Sequence, residues 1–119
     1  MKNTDTGVAR LFSAFSYSMN GLRSAYISEA AFRQEVWLAM ILVPAAWFVG
    51  DTLIERGLLV SSLLLLLIVE LLNTAIEKTV DRIGDEFHEL SGAAKDTGSA
   101  AVFLTLVLVL LLWIIVALS

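Results

Sequence analysis

Two long apolar runs constrain this chain more than any other feature. Gly98–Leu118 is twenty-one residues without a charge. Leu58–Ile76 is nineteen residues, interrupted only by Ser61, Ser62, Glu70, Asn73 and Thr74. About 20 apolar residues in a helix cross the ~30 Å hydrocarbon core of a bilayer. Both runs therefore predict membrane-spanning helices. A third run, Val36–Val49, is short by itself. Extended back to Ala30 it reaches twenty residues, with Arg33 and Glu35 near its start. The expected spans are 30–49, 58–81 and 98–118. Pro44 withholds one backbone donor from the first of them, so a kink is expected there.

Composition closes off most other classes. Of 119 residues, 58% are hydrophobic and only 17% are charged. That leaves too few polar groups to coat a soluble domain. The net charge is −4 and the basic residues form no cluster, which counts against nucleic acid as a partner. With no cysteine there are no disulfides, zinc–thiolate sites or thiol nucleophiles. One domain fills the chain, and three short spans enclose little, so a closed site is expected to need several copies.

The first thirty residues lack a continuous apolar core, so no signal peptide is expected. Instead Val8, Leu11, Phe12, Phe15, Met19, Leu22 and Tyr26 recur at helical spacing. Arg10, Ser13, Tyr17, Asn20 and Ser24 take the other faces. This pattern over 7–26 predicts an amphipathic helix lying in the membrane interface.

Lysine and arginine set the orientation. Lys2, Arg10, Arg23 and Arg33 precede the first span. The first loop holds only Arg56, the second holds Lys78, Arg82 and Lys95, and the C-terminal end holds none. The N-terminus and second loop are expected in the cytoplasm, and the C-terminus on the outer side. Trp47 and Trp113 fall near the outer boundary, where aromatic anchors gather.

Acidic residues then mark the chemistry. Glu70, Asn73, Glu77 and Asp81 stand at i, i+3, i+7 and i+11. Seven residues are almost two helical turns, so the four share one face. Glu77 is expected at the cytoplasmic interface and Glu70 about 10 Å deeper, at 1.5 Å per residue. A carboxylate inside a span is costly, by about 2.5 to 3.5 kcal/mol at a helix centre. It is expected to face protein or a polar cavity, where it can serve as a general base or as an interhelical hydrogen-bonding group. Glu29 lies at the same level as Glu77. Two carboxylates with water and phosphate oxygens suit Mg²⁺; ion pairs of Glu29 with Arg33 and of Glu77 with Arg82 would use the same charges structurally. In the second loop, Asp96 or Thr97 could cap the third span, and Lys95 beside that helix start could hold phosphate. No Walker or protein-kinase motif is present. Taken bare, the loop is a solvated connection and its His88 a surface histidine.

Together the motifs resemble those of the prokaryotic integral-membrane diacylglycerol kinases. The resemblance is carried by Glu29-Ala30-Ala31-Phe32-Arg33-Gln34-Glu35, by Val69-Glu70-Leu71-Leu72-Asn73-Thr74-Ala75-Ile76-Glu77 with Val80-Asp81-Arg82-Ile83-Gly84, and by His88-Glu89-Leu90-Ser91-Gly92. Ala94-Lys95-Asp96 and Gly98-Ser99-Ala100-Ala101 extend it, so that it covers nearly the whole chain. Asn20 and Ala93 stand where the family commonly has a basic residue.

The resemblance implies an all-α membrane enzyme with three spans and a surface helix, assembled as a homotrimer in the bacterial cytoplasmic membrane. It implies transfer of the γ-phosphate of Mg–ATP to the hydroxyl of diacylglycerol, giving phosphatidic acid. Glu70 matches the general base, and Glu29 and Glu77 match the Mg²⁺ ligands. The ATP contacts match Arg10, Tyr17, Glu29, Glu77, Glu86, His88, Lys95 and Asp96. The lipid contacts match Arg10, Ala14, Ser18, Arg23, Tyr26, Ala31, Glu35, Glu70, Ser99 and Trp113. Asn73 and Asp81 look like supports for the base and the metal loop. A polyprenol kinase acting on undecaprenol would use the same machinery. A small transporter with Glu70 as its proton-coupled site, or a purely structural membrane protein, are the readings from other classes.

Overall fold

A computed structural model of the chain describes residues 6–84 and 88–119. The described residues form four helices: α1 (Gly7–Ser28), α2 (Ala30–Val49), α3 (Leu53–Ile83) and α4 (Glu89–Leu118). They include no strand. Helices α2, α3 and α4 are each long and apolar enough to cross a membrane. Helix α3 is the centre of the bundle. It packs along α4 and against α2, while α1 leans mainly on α2 and only lightly on α3.

Helix ends follow local chemistry. Thr52 caps α3 by accepting from the Glu55 N–H at 3.1 Å. The Glu55 carboxylate reaches back to the Asp51 N–H at 2.8 Å, a reciprocal cap of the Thr-x-x-Glu kind. Arg56 closes the α2–α3 corner. Its Nε donates to Trp47 O at 3.0 Å and Gly50 O at 3.1 Å, and its guanidinium stacks 3.9 Å from the Trp47 ring centre. Orphan carbonyls at the end of α2 are thereby satisfied by a cation. Helix α2 runs on through Pro44.

Two helices outrun the hydrophobic segments that predicted them. Helix α3 begins at Leu53 and not at Leu58, and ends at Ile83 beyond residue 81. Its 31 residues are about 46 Å long at 1.5 Å each. That exceeds the ~30 Å apolar core, so part of α3 extends beyond it. Helix α4 begins at Glu89 and not at residue 98. Its cap is His88, whose Nδ1 accepts from the Leu90 N–H at 3.1 Å. Asp96 and Thr97 sit inside the helix, so neither is the cap expected of them. Glu89, Leu90, Ala93, Ala94 and Lys95 are good helix formers and carry the helix back two turns through Gly92.

Few side chains are fully enclosed. Ala46, Leu59 and Val116 form a small apolar cluster at the α2–α3 turn end. Nearby, buried Ser62 donates to Leu59 O at 2.6 Å and accepts from Trp113 Nε1 at 3.1 Å. Most large apolar side chains face outward. A bilayer is the solvent that makes such a surface favourable.

Candidate functional site

Glu70 is 7% exposed and lies between buried Leu66 and buried Thr74 on α3. The carboxyl of Glu35 comes from α2 to meet it at hydrogen-bonding range. Two carboxyls at that range do not both stay ionised, so one proton lies between them and makes the hydrogen bond. The Oε2 atom of Glu35 is buried, and no donor reaches it among the described residues. One turn from Glu70, Asn73 Oδ1 is likewise buried with no donor. It lies against Gly98 of α4, in the space a side chain would otherwise fill. Helices α2 and α3 thus bring Glu35 and Glu70 together, with Asn73 one turn along α3 and seated against α4. A buried acceptor without a donor costs roughly 1–3 kcal/mol, and Glu35 Oε2 and Asn73 Oδ1 are two such acceptors.

Toward the Asp81 end of α3 the polar groups become more exposed. Asp81 binds Lys95 of α4 at 2.6 Å, with both side chains largely open to solvent. Glu77, a half-buried residue one turn deeper than Asp81, shares that α3 face. Glu29 stands at the sharp corner between α1 and α2. Its extended backbone (φ −117°, ψ 109°) ends one helix and starts the next. Among the described residues, neither Glu29 with Arg33 nor Glu77 with Arg82 forms the ion pair that would have explained it structurally. Arg33 instead turns back over the end of α1, donating to Tyr26 O at 2.6 Å and Ile27 O at 3.2 Å. Among the described residues no three acidic or imidazole groups converge. Two oxygen donors from the protein fit Mg²⁺ carried on phosphate, which keeps water and phosphate oxygens in its other positions.

The remaining expected contacts fall into three groups. On α1, Ser18 Oγ donates to Ala14 O at 2.8 Å, so these two share a face. Arg23 and Tyr26 line an apolar slot of roughly 450 Å³ with Phe32, Val36, Leu64 and Ile68. Arg10, Tyr17, Ala31, Ser99 and Asp96 are exposed. The ring of His88 is engaged as the α4 cap, with Nδ1 turned to backbone. Trp113 lies far from the carboxyl cluster, at the other end of the bundle beside Ser62. Glu86 lies outside the described residues.

Three features escaped the sequence reading. One is the grip of α2 on α1, where Trp37 Nε1 donates to Tyr26 Oη at 2.8 Å one turn beyond Arg33. The i, i+4 spacing of Arg33 and Trp37 was its only trace. The second is Gly98 as the seat of Asn73, which no local pattern marks. The third is a hydrogen bond from Lys78 Nζ to Ser24 Oγ at 3.2 Å, joining α3 to α1.

The arrangement defines a helical membrane enzyme with a carboxyl cluster inside the bundle and a charged end beside it. Comparison with known proteins makes this definite. A model of the prokaryotic diacylglycerol kinase family matches residues 16–117. A diacylglycerol kinase of Escherichia coli (strain K12) is 53% identical over 116 residues, 97% of this chain and 94% of the relative. One of Haemophilus influenzae is 53% identical over 108 residues, covering 91% and 92%. One of Pseudomonas aeruginosa is 48% identical over 108 residues, covering 91% and 88%. The chain belongs to the prokaryotic diacylglycerol kinase family. It is an ATP-dependent kinase, and the transporter and purely structural readings fall away.

Proposed function

We propose that the protein transfers the γ-phosphate of Mg–ATP to the hydroxyl of diacylglycerol in the bacterial inner membrane. The observation that carries this reading is the donor-poor cluster of Glu35, Glu70 and Asn73. A lipid alcohol supplies an O–H for the two buried acceptors without a donor, Glu35 Oε2 and Asn73 Oδ1. The family relatives named for this activity supply the substrate class.

Glu70 is the general base. It takes the hydroxyl proton as the lipid oxygen bonds to the γ-phosphorus and the bond to the ADP oxygen breaks. Phosphoryl transfer depends on positioning and charge neutralisation more than on covalent help. Asn73 and Glu35 hold the hydroxyl in line. Lys95, kept in place by Asp81, and Arg10 bind phosphate oxygens. Glu29 and Glu77 would hold Mg²⁺, which supplies charge neutralisation on the phosphates. The surface helix and the apolar slot at Arg23 and Tyr26 take the acyl chains. The N-terminus is cytoplasmic, and the active assembly is a homotrimer that encloses each site.

The test is transfer of labelled phosphate from ATP into lipid by the purified protein in mixed micelles. Diacylglycerol and undecaprenol run in parallel. Label in phosphatidic acid is the expected result. Label in the polyprenol alone would keep the chemistry and replace the substrate. No lipid label from folded protein would end the reading.

A further inference from the structure

A groove between α1 and α3 encloses roughly 480 Å³. Ser18, Leu22 and Leu71 border the lipid site proposed above as well, whereas Gly21, Ser24, Ala75 and Lys78 belong to this groove and not to the slot at Arg23 and Tyr26. Gly21 and Ser24 of α1 leave it open with their small side chains, and Leu71, Ala75 and Lys78 of α3 form its other wall.

The two ends of this groove differ in chemistry. At one end the Lys78 ammonium donates to Ser24 Oγ, which uses one of its three protons. No carboxylate pairs with Lys78 among the described residues, because Asp81, the acid one turn on, is held by Lys95. Arg82 follows Lys78 at i+4 and adds a second cation to that end. The other end is hydrocarbon. Leu71 lies seven residues back, about 10 Å deeper along the helix. A cation at the membrane surface above an apolar slot complements a lipid with a negative headgroup. Diacylglycerol carries no charge to answer Lys78, and a zwitterionic lipid brings a cation of its own.

We propose that the α1–α3 groove binds one anionic phospholipid. Its phosphate sits on Lys78 and Ser24, and an acyl chain runs down past Ala75 and Leu71. The lipid joins the surface helix to α3, two elements that touch each other only lightly.

Native mass spectrometry tests this on the whole protein, released from micelles holding equal amounts of phosphatidylglycerol and phosphatidylcholine. The anionic lipid is retained about fivefold over the neutral one, the factor one lysine contributes near a membrane surface. Lys78→Gln abolishes the preference in a protein whose helix content is unchanged. Ala75→Phe fills the slot, keeps the cation and also abolishes it. Excess inorganic phosphate leaves the retained lipid in place. Equal retention of the two lipids overturns the proposal, as does a preference that survives either variant. Displacement by inorganic phosphate also overturns it, because the groove would then be a phosphate site and not a lipid site.

Discussion

Asn73 of α3 rests directly on the backbone of Gly98 in α4. Any β-carbon at position 98 would occupy the space of the Asn73 carboxamide oxygen. The close approach of the two helices thus sets where Asn73 points, and with it the geometry beside Glu70. Gly98→Ala is expected to displace Asn73 and destabilise the bundle by about 1–3 kcal/mol, the usual range for overpacking. Turnover is expected to fall by on the order of tenfold or more, since misplacement by 1 Å can cost a hundredfold. Thermal unfolding and turnover measured on the same sample check both effects.

The contact of Glu35 with Glu70 predicts an opposite pair of effects. Glu35→Gln replaces a carboxyl pair that needs a shared proton with a carboxamide that donates to Glu70 at any pH. A net hydrogen bond is worth about 0.5–1.5 kcal/mol, so at alkaline pH, where the wild-type pair has lost that proton, the variant is expected to melt higher than the wild type. It is expected to work less well, because the carboxamide now satisfies the groups that the lipid hydroxyl should satisfy. A melting temperature that stays level or falls at that pH would contradict this account of the cluster.

Arg33 holds the end of α1 through two carbonyls. Hydrogen bonds to a charged group are worth roughly 1.5–3 kcal/mol. Arg33→Met is expected to cost stability in that range and to loosen α1 first. Limited proteolysis within α1 should accelerate more than cleavage elsewhere. Arg33→Lys should restore only part of the hold, since one ammonium replaces a planar fork of donors.

The Asp81–Lys95 pair is exposed, and exposed pairs add little stability. Lys95→Met is therefore expected to leave the melting temperature nearly unchanged. If Lys95 binds phosphate, the KM for ATP should rise by at least about tenfold, as loss of a charged hydrogen bond implies. Equal effects on melting and on KM would make the pair structural.

The three apolar runs and the amphipathic first helix were legible because 20-residue hydrophobicity and a 3.6-residue period are strong signals. The helix extensions past the membrane were not. Nothing in hydropathy separates a helix that continues into water from a loop that starts there, so the start of α4 at Glu89, on the His88 cap, was not legible. Within the site, the shared face of Glu70, Asn73, Glu77 and Asp81 followed from spacing on one helix. The partners that come from other helices did not. Glu35 against Glu70, Gly98 under Asn73, and Lys78 on Ser24 each depend on how two helices cross, which one-dimensional spacing does not encode. Glu35 entered the expected site through family resemblance alone, and as a lipid contact, not as a neighbour of Glu70.

In the proposed reaction the buried carboxylate of Glu70 accepts the proton of the lipid hydroxyl. Single-turnover transfer of labelled phosphate to diacylglycerol by Glu70→Gln, beside the wild type, tests it most directly. The substitution keeps the shape of the side chain and removes its basicity. Transfer is expected to slow by about 10²–10⁴, the contribution of a general base, with helix content and oligomeric state unchanged. Transfer within a few-fold of the wild-type rate would contradict the claim and leave Glu70 as a packing group between α2 and α3.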